Sequence, residues 1–245
     1  MSDELVVVVG LGEVGKPLLN LLSRSHECVG VDIQPVEIAR PCSVLHICIP
    51  FGRKDFVEIT CSYVAKYRPR YCVVNSTVAP GTTRAIAKRS GAAVAYSPVR
   101  GKHAKMEADM LRYCKFVGAD DFQTTEAIIQ HFAAAGFRTA RFRNAEIGEL
   151  AKLLETTWLG VLVGWAQEVE RLAQERGATY DEVNAYIDEV DFLPHVFPGL
   201  IGGHCVMPNI DILRSQVNSE FLDAIVRSNA LKAESLKTLA VTTEA

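Results

Sequence analysis

LVVVVGLGEVGKPLLNLL, residues 5–22, decides the fold. Five apolar residues, four of them valine, read as a strand buried on both faces. The strand runs directly into Gly10-x-Gly12-x-x-Gly15, and the residues after Gly15 are apolar at helical spacing. Gly10 suits a tight turn, Gly12 lets the backbone approach a bound group, and Gly15 lets a helix pack on the strand. The N-terminus of that helix carries partial positive charge, which suits the turn to a pyrophosphate, with Glu13 and Val14 lining it. Asp32 closes the next apolar run. A carboxylate there accepts hydrogen bonds from ribose hydroxyls and repels a 2′-phosphate, so the expected cofactor is NAD rather than NADP. Arg40 is close enough in sequence to counter that repulsion. Ile33 and Pro50, at the ends of the second and third strands, complete the expected cofactor contacts. Two rival readings remain at this point: a cofactor-free turn, and an S-adenosylmethionine site.

Outward from this stretch, strands and helices alternate, the pattern of a parallel sheet covered on both faces. Strands are expected at Leu5–Val9, Cys28–Asp32, Val44–Pro50, Tyr71–Ser76, Ala92–Tyr96 and Lys115–Gly118. Only Ile33–Ser43 separates the second from the third, too short for a helix, a strand and another helix, so that edge of the sheet should be trimmed. The expectation is an α/β chain: a Rossmann doubly wound parallel sheet over residues 1–143, then an all-helical domain over 144–245. The second part is built on one long central helix, 145–176, with Ile147, Leu150, Leu153, Leu154, Trp158, Val161, Leu162, Trp165, Val169 and Leu172 at helical spacing and Gly177 as its C-cap. A shorter helix follows at YDEVNAYIDEV, then a Pro- and Gly-rich cysteine loop over 194–211, then a last helix over Phe221–Leu239. Apolar residues on more than one face of the long helix fit either a homodimer contact or the core of this second domain.

The bulk composition excludes several classes. A net charge of −3 gives no reason to expect a nucleic-acid partner or a polybasic membrane contact. MSDELVVVVG has no basic region ahead of its apolar run, so no signal peptide is expected. WLGVLVGWA, the longest apolar stretch, is too short to span a bilayer. Seven cysteines without a CxxC pair suggest neither a disulfide framework nor a zinc site, and no metal is expected. The expected setting is the reducing cytoplasm.

Three further segments carry a resemblance. VVNSTVAPGTT (Val73–Thr83) is similar to a strand-ending STVPxGTT pattern, EIGELAKLLETTWLGVLVGWAQEVERLA (Glu146–Ala173) to a long central helix, and PGLIGGHCVMPNIDIL to a loop carrying a nucleophile. In this order they resemble the UDP-glucose/GDP-mannose dehydrogenases, a family of NAD-dependent enzymes that oxidise a sugar alcohol to a carboxylate through a cysteine adduct. The resemblance displaces the methyltransferase reading. It implies that Cys205 is the nucleophile, that Lys152 stabilises developing negative charge on the reacting oxygen, and that Thr77 helps position cofactor and water. It also places Thr156 and Asn209 at catalytic positions. Beside the cysteine, Gly203 and His204 are expected near a small-molecule substrate, His204 either polarising the thiol or shaping the turn, and the cluster Arg100, Lys102, His103 and Lys105 suits a carboxylate or phosphate on that substrate. From the residues alone, Lys152 also fits a solvent-facing helix lysine, Thr77 a backbone-bonding strand end, and Arg100, Lys102, His103 and Lys105 a solvated basic loop.

The departures from the family pattern form a group. Thr156 replaces an asparagine four residues after the lysine, Asn209 an acid four residues after the cysteine, Pro208 a lysine, and Val99 a glutamate after the strand-end proline. Asparagine and valine cannot take a proton from an attacking water. The sequence given stops after its last helix, where the family continues into a nucleotide-gripping third domain, so less remote binding energy is expected for a nucleotide handle. The leading expectation is an NAD-dependent oxidation of an alcohol or aldehyde on a small or sugar-like substrate. A single-hydride β-hydroxyacid-type dehydrogenase and a catalytically degenerate NAD sensor or scaffold are the alternatives.

Overall fold

The computed structural model describes residues 5–34, 36–52 and 55–243, with the backbone alone for 103 and 239–243. Contacts divide the chain into two compact units, Met1–Lys152 and Leu153–Ala245.

The first unit holds β1 (Leu5–Val9), β2 (Glu27–Val31), β3 (Cys42–Ile47), β4 (Tyr71–Val74), β5 (Ala93–Tyr96), β6 (Lys115–Ala119) and β7 (Thr139–Arg141) in one sheet of order β2-β1-β3-β4-β5-β6-β7. The connecting helices are α1 (Gly15–Leu22), α2 (Phe56–Tyr67), α3 (Thr82–Ser90), α4 (Met106–Arg112) and α5 (Phe122–Ala134). β1 is an interior strand, and both of its faces are apolar. Leu5, Val7 and Val9 enter one core with Phe56, Val64 and Ile86, whereas Val6 and Val8 enter the other with Leu18, Leu21, Ile128 and Phe132. Each such aliphatic side chain contributes roughly 1.5–3 kcal/mol on full burial. β2 is an outermost strand, as the short Ile33–Ser43 link predicts, and strand order reverses between β1 and β3. That reversal opens a crevice at the carboxyl ends of these two strands.

Two expectations are corrected here. The sheet is not wholly parallel: β6 runs antiparallel to β5, with Tyr96 opposite Gly118, and β7 follows β6 in parallel. The link before β6 contains a 3-10 turn, His103–Lys105, and the seven-residue α4, the latter about 10 Å long and held to α1 by Asn20 donating to Glu107 at 2.8 Å. It does not carry the chain back to the end where β5 begins. β7 itself, three residues long, is too short for periodicity to reveal.

The long helix α6 (Ala145–Glu175) runs from the first unit into the second. Gly177, at φ +75°, ends it. The Ala178 N–H donates to the Ala173 carbonyl at 2.9 Å and the Gly177 N–H to Gln174 at 3.0 Å, a Schellman closure. α7 (Tyr180–Ile187), α8 (Val206–Arg214) and α9 (Glu220–Thr243) complete the second unit. Its core gathers Leu153, Ile201, Ile210, Leu213, Leu222 and Ile225. The cysteine loop is shorter than expected, because α8 begins at Val206 rather than beyond Asp211. Pro208 permits this: it sits in the first turn, where a missing N–H costs no helical bond. No helix among the described residues is long and apolar enough to cross a membrane.

Candidate active site

The Gly-rich turn separates two kinds of glycine. Gly10 adopts φ +87° and donates its N–H to Val31 at 2.8 Å. A Cβ on Gly15 would stand 1.7 Å from the Gly10 carbonyl oxygen, so the helix meets the turn only because that atom is absent. Gly12 has no such reason: a Cβ there would meet nothing within 4 Å. The open space above it is where a ligand approaching the backbone would lie. α1 has no side-chain cap at Val14 and no acid in its first turn, so the positive end of its dipole is unopposed by a protein carboxylate; the Lys16 N–H is bonded to the Gly12 carbonyl at 3.2 Å and Pro17 has no N–H. The residues present therefore fit a dinucleotide. Asp32 and Pro50 are exposed beyond β2 and β3, Glu13 is exposed in the turn, and Ile33 is 95% exposed. Arg40 pairs with Glu27 at 2.5 Å and holds that carboxyl below its usual range.

The segment after β4 extends the same sheet edge. Ser76 donates to the Ile49 carbonyl at 2.5 Å, joining the ends of β3 and β4, and half-buried Thr77 follows. The PGTT turn is held by a residue the sequence reading did not select. Glu149 on α6 is 0% exposed, and its carboxylate accepts from the N–H of Gly81 at 2.6 Å and of Thr83 at 2.7 Å. Burial raises its pKa, while these bonds act the other way. The clue was present: a carboxylate between Gly148 and Leu150, three residues before Lys152 and so on the same helix face. The helix that carries Lys152 is thereby fastened to the loop that carries Thr77.

Val99 is buried with Met106 and Met110, so this position is filled by packing. Arg100 lies over the Phe116 ring at 5.2 Å, and Lys102 and Lys105 are exposed. The Lys102 N–H donates to Asp109 at 2.9 Å. The side chain of His103 lies outside the described residues.

In the second unit, Cys205 is exposed at the N-cap of α8. Gly203, at φ +74°, turns the chain before it, and His204 is exposed. Asn209 and, on α6, Thr156 are buried. α8 docks on α6 at Gly160, where a Cβ would come within 2.8 Å of Ile210 and 3.1 Å of Val206. The loop upstream is clamped by two amides that sequence reasoning also missed. Gln167, fully buried on α6, donates to the Gly199 carbonyl at 2.8 Å and accepts from Ser228 at 2.8 Å. Asn229 on α9 accepts from the Ile201 N–H at 2.8 Å and donates to its carbonyl at 3.0 Å. Within the first unit, then, the structure gathers the Gly-rich turn, Asp32, Pro50, Ser76 and Thr77 along the sheet edge. Within the second it gathers Gly203, His204, Cys205 and Asn209 around the start of α8.

Strand order, reversal point and Gly-rich turn define a Rossmann-type fold followed by a helical region. The comparisons narrow that class. No protein-family model matches the chain. Among curated proteins it is similar to the UDP-N-acetyl-D-mannosamine dehydrogenases of Methanocaldococcus jannaschii, 24% identical over 139 residues, and of Pyrococcus horikoshii, 25% identical over an alignment of 277 residues. These matches cover 55% and 88% of this chain, and 33% and 65% of the relatives' own lengths. Among solved structures it superposes on a UDP-D-ManNAc dehydrogenase from Pyrococcus horikoshii with a TM-score of 0.84 at 20% identity, covering 98% of this chain and 72% of that one. The resemblance to nucleotide-sugar dehydrogenases is thus found twice, in sequence and in fold.

Proposed function

We propose that the chain is an NAD-dependent dehydrogenase acting on a CH–OH or aldehyde group of a sugar-like substrate. The observation that carries this reading is the unfilled space above Gly12, set at the reversal point of the sheet beside an uncapped helix. Gly10, Gly12, Glu13, Val14 and Gly15 hold the pyrophosphate, Asp32 the ribose hydroxyls, and Ile33 offers its exposed side chain to the adenine. Pro50 and Thr77 flank the other half. NAD, when bound, supplies the hydride acceptor. Lys152 places an ammonium beside the reacting oxygen and stabilises its negative charge, an effect commonly worth 10²–10³-fold in rate for one donor. The Cys205 sulfur adds to an aldehyde carbon, and the carbonyl electron pair moves onto oxygen. Loss of a second hydride from that carbon to a second NAD, with the hydroxyl proton released to solvent, would leave a thioester on Cys205; Val99 and Asn209 provide no carboxylate for water activation, so that acyl group should persist.

The test is to incubate the protein with NAD and a panel of UDP- and GDP-sugars while following reduced nicotinamide by absorbance and intact protein mass. The expected result is NADH formation with an acyl adduct on Cys205. Turnover without an adduct would move the reading to a single hydride transfer, and failure to bind NAD would overturn it.

For partners we propose a small-molecule substrate and a second copy of this chain. Leu154, Trp158, Trp165 and Leu172 form one exposed apolar stripe along α6, which a symmetric copy would cover. Seven cysteines without a CxxC pair support a reducing, cytoplasmic setting.

A further inference from the structure

A line of buried polar side chains crosses the first unit, outside the residues assigned so far. Lys115, which opens β6, is 4% exposed. Its Nζ donates to the carbonyls of Ser97 at 2.8 Å and Pro98 at 3.1 Å, and to Oδ1 of Asn75 at 3.3 Å. The Nδ2 of Asn75 donates to the Val73 carbonyl at 3.2 Å and faces Nδ1 of His46 at 3.2 Å. His46 Nε2 stands 3.0 Å from Nε2 of His131, whose ring stacks on His26 with centroids 4.4 Å apart. The protons in this line can be assigned. The amide donates, so His46 Nδ1 accepts; its Nε2 carries the hydrogen and donates to His131. Burial holds both rings neutral, with His131 pushed down to about 3 and His46 well below its usual value. Asn75 is therefore locked with its oxygen toward Lys115, where three acceptors meet the three N–H bonds of an ammonium.

Asn75 lies two residues before Thr77, and Pro98 two residues before Arg100. We propose that Lys115 is a positioning residue of the dehydrogenase site, tying the segment after β4 to the segment after β5 so that Thr77 and Arg100 keep a fixed spacing. This inference rests on the function proposed above. A neutral amine has two N–H bonds, so loss of a proton leaves one of the three oxygens without its donor. Burial, helped by the positive charge of Lys152, pushes Lys115 down to about 7, while Cys48 acts in the opposite sense. Facing it are Cys48 after β3, His46 on β3 and Lys152 on α6, with the Phe132 ring 4.9 Å away; His131 on α5 lies behind His46. From the segments after β4 and β5 it meets only the Asn75 amide and two carbonyls. The tie is complete below about pH 7 and weakens above it.

The experiment compares wild type, Lys115→Met and Asn75→Asp between pH 6 and pH 9. At pH 6, Lys115→Met should lower kcat at least tenfold with KM for NAD within threefold, and that ratio should shrink at least fivefold by pH 9. Asn75→Asp, which keeps the amine charged beside a carboxylate, should hold its advantage over Lys115→Met up to pH 9. A ratio that does not change with pH, or stays within twofold, overturns the proposal. A second readout needs no substrate: in NMR spectra the amides of Thr77 and Arg100 should titrate together near pH 7 in wild type and not in Lys115→Met. If those amides do not titrate, the tie is wrong. If they titrate but no UDP- or GDP-sugar is turned over, the tie stands and the dehydrogenase reading falls.

Discussion

The turn at Gly10–Gly15 and the loop at Gly199–Cys205 are both glycine-bearing segments that open a helix, yet they are held in different ways. The first is fixed by backbone against backbone: Gly15 and Gly10 touch where no side chain fits, and the Gly10 N–H bonds directly to Val31. The second is fixed by side chains brought from elsewhere, Gln167 from α6 and Asn229 from α9. A backbone lock tolerates no substitution, whereas a side-chain clamp lets neighbouring positions change while the frame persists. The departures from the family pattern fall accordingly. The cofactor turn keeps its full motif, and the changes lie at Thr156, Pro208 and Asn209 around the clamped loop, and at Val99 after β5.

The largest expected effect breaks the backbone lock. Gly15→Ala should prevent folding or abolish NAD binding, because its methyl would need the Gly10 carbonyl to move, beyond the ~1–3 kcal/mol of ordinary overpacking. Gly12→Ala, with open space around it, should keep the wild-type melting temperature and lose NAD affinity alone. Calorimetry paired with NAD titration separates the two, and equal behaviour would erase the distinction between the glycines. Next, Cys205→Ser should leave folding and NAD affinity unchanged while the acyl adduct disappears, as read by intact-protein mass spectrometry. An undiminished adduct would show that the loop holds no nucleophile.

The two segments should also differ in their response to pH. Lys115 loses its proton in the folded state near 7, but near the model-compound value of 10.5 when unfolded. Between these values the unfolded chain binds more protons, so stability should rise with pH, by at most about 1.4 kcal/mol per unit. Lys115→Met should flatten that slope in melts recorded from pH 7 to 9. The cysteine loop is clamped by amides that do not titrate, and hydrogen exchange at Gly199–Ile201 should show no inflection of its own near pH 7. The most local effect is expected from Gln167→Leu, roughly 1 kcal/mol for each of its bonds to Gly199, Asn229 and Ser228, with faster exchange confined to that loop. Exchange spreading into the first unit would contradict a local clamp.

Much of this arrangement was legible in the sequence because it depends on local rules. The strand–turn–helix at Leu5–Leu22, the trimmed edge after Asp32 and the Gly177 stop each follow from neighbouring residues. The reversal of β6 was not legible, since it depends on how far a seven-residue helix carries the chain. Glu149, Gln167, Asn229 and Lys115 were missed for a shared reason: each bonds to backbone or amide groups between 17 and 68 residues away. Nothing adjacent to them marks the partner. A charged or amide residue on an otherwise apolar stripe was the only trace, and it is the trace to look for.

Both tryptophans of the chain, Trp158 and Trp165, lie on the exposed stripe of α6, at 59% and 61% exposure. The protein therefore carries its own optical probe of that one face. Indole emission should lie near the wavelength of a water-exposed fluorophore at low concentration and shift to the blue as concentration rises only where copies associate, with no label introduced and no other tryptophan to confuse the signal.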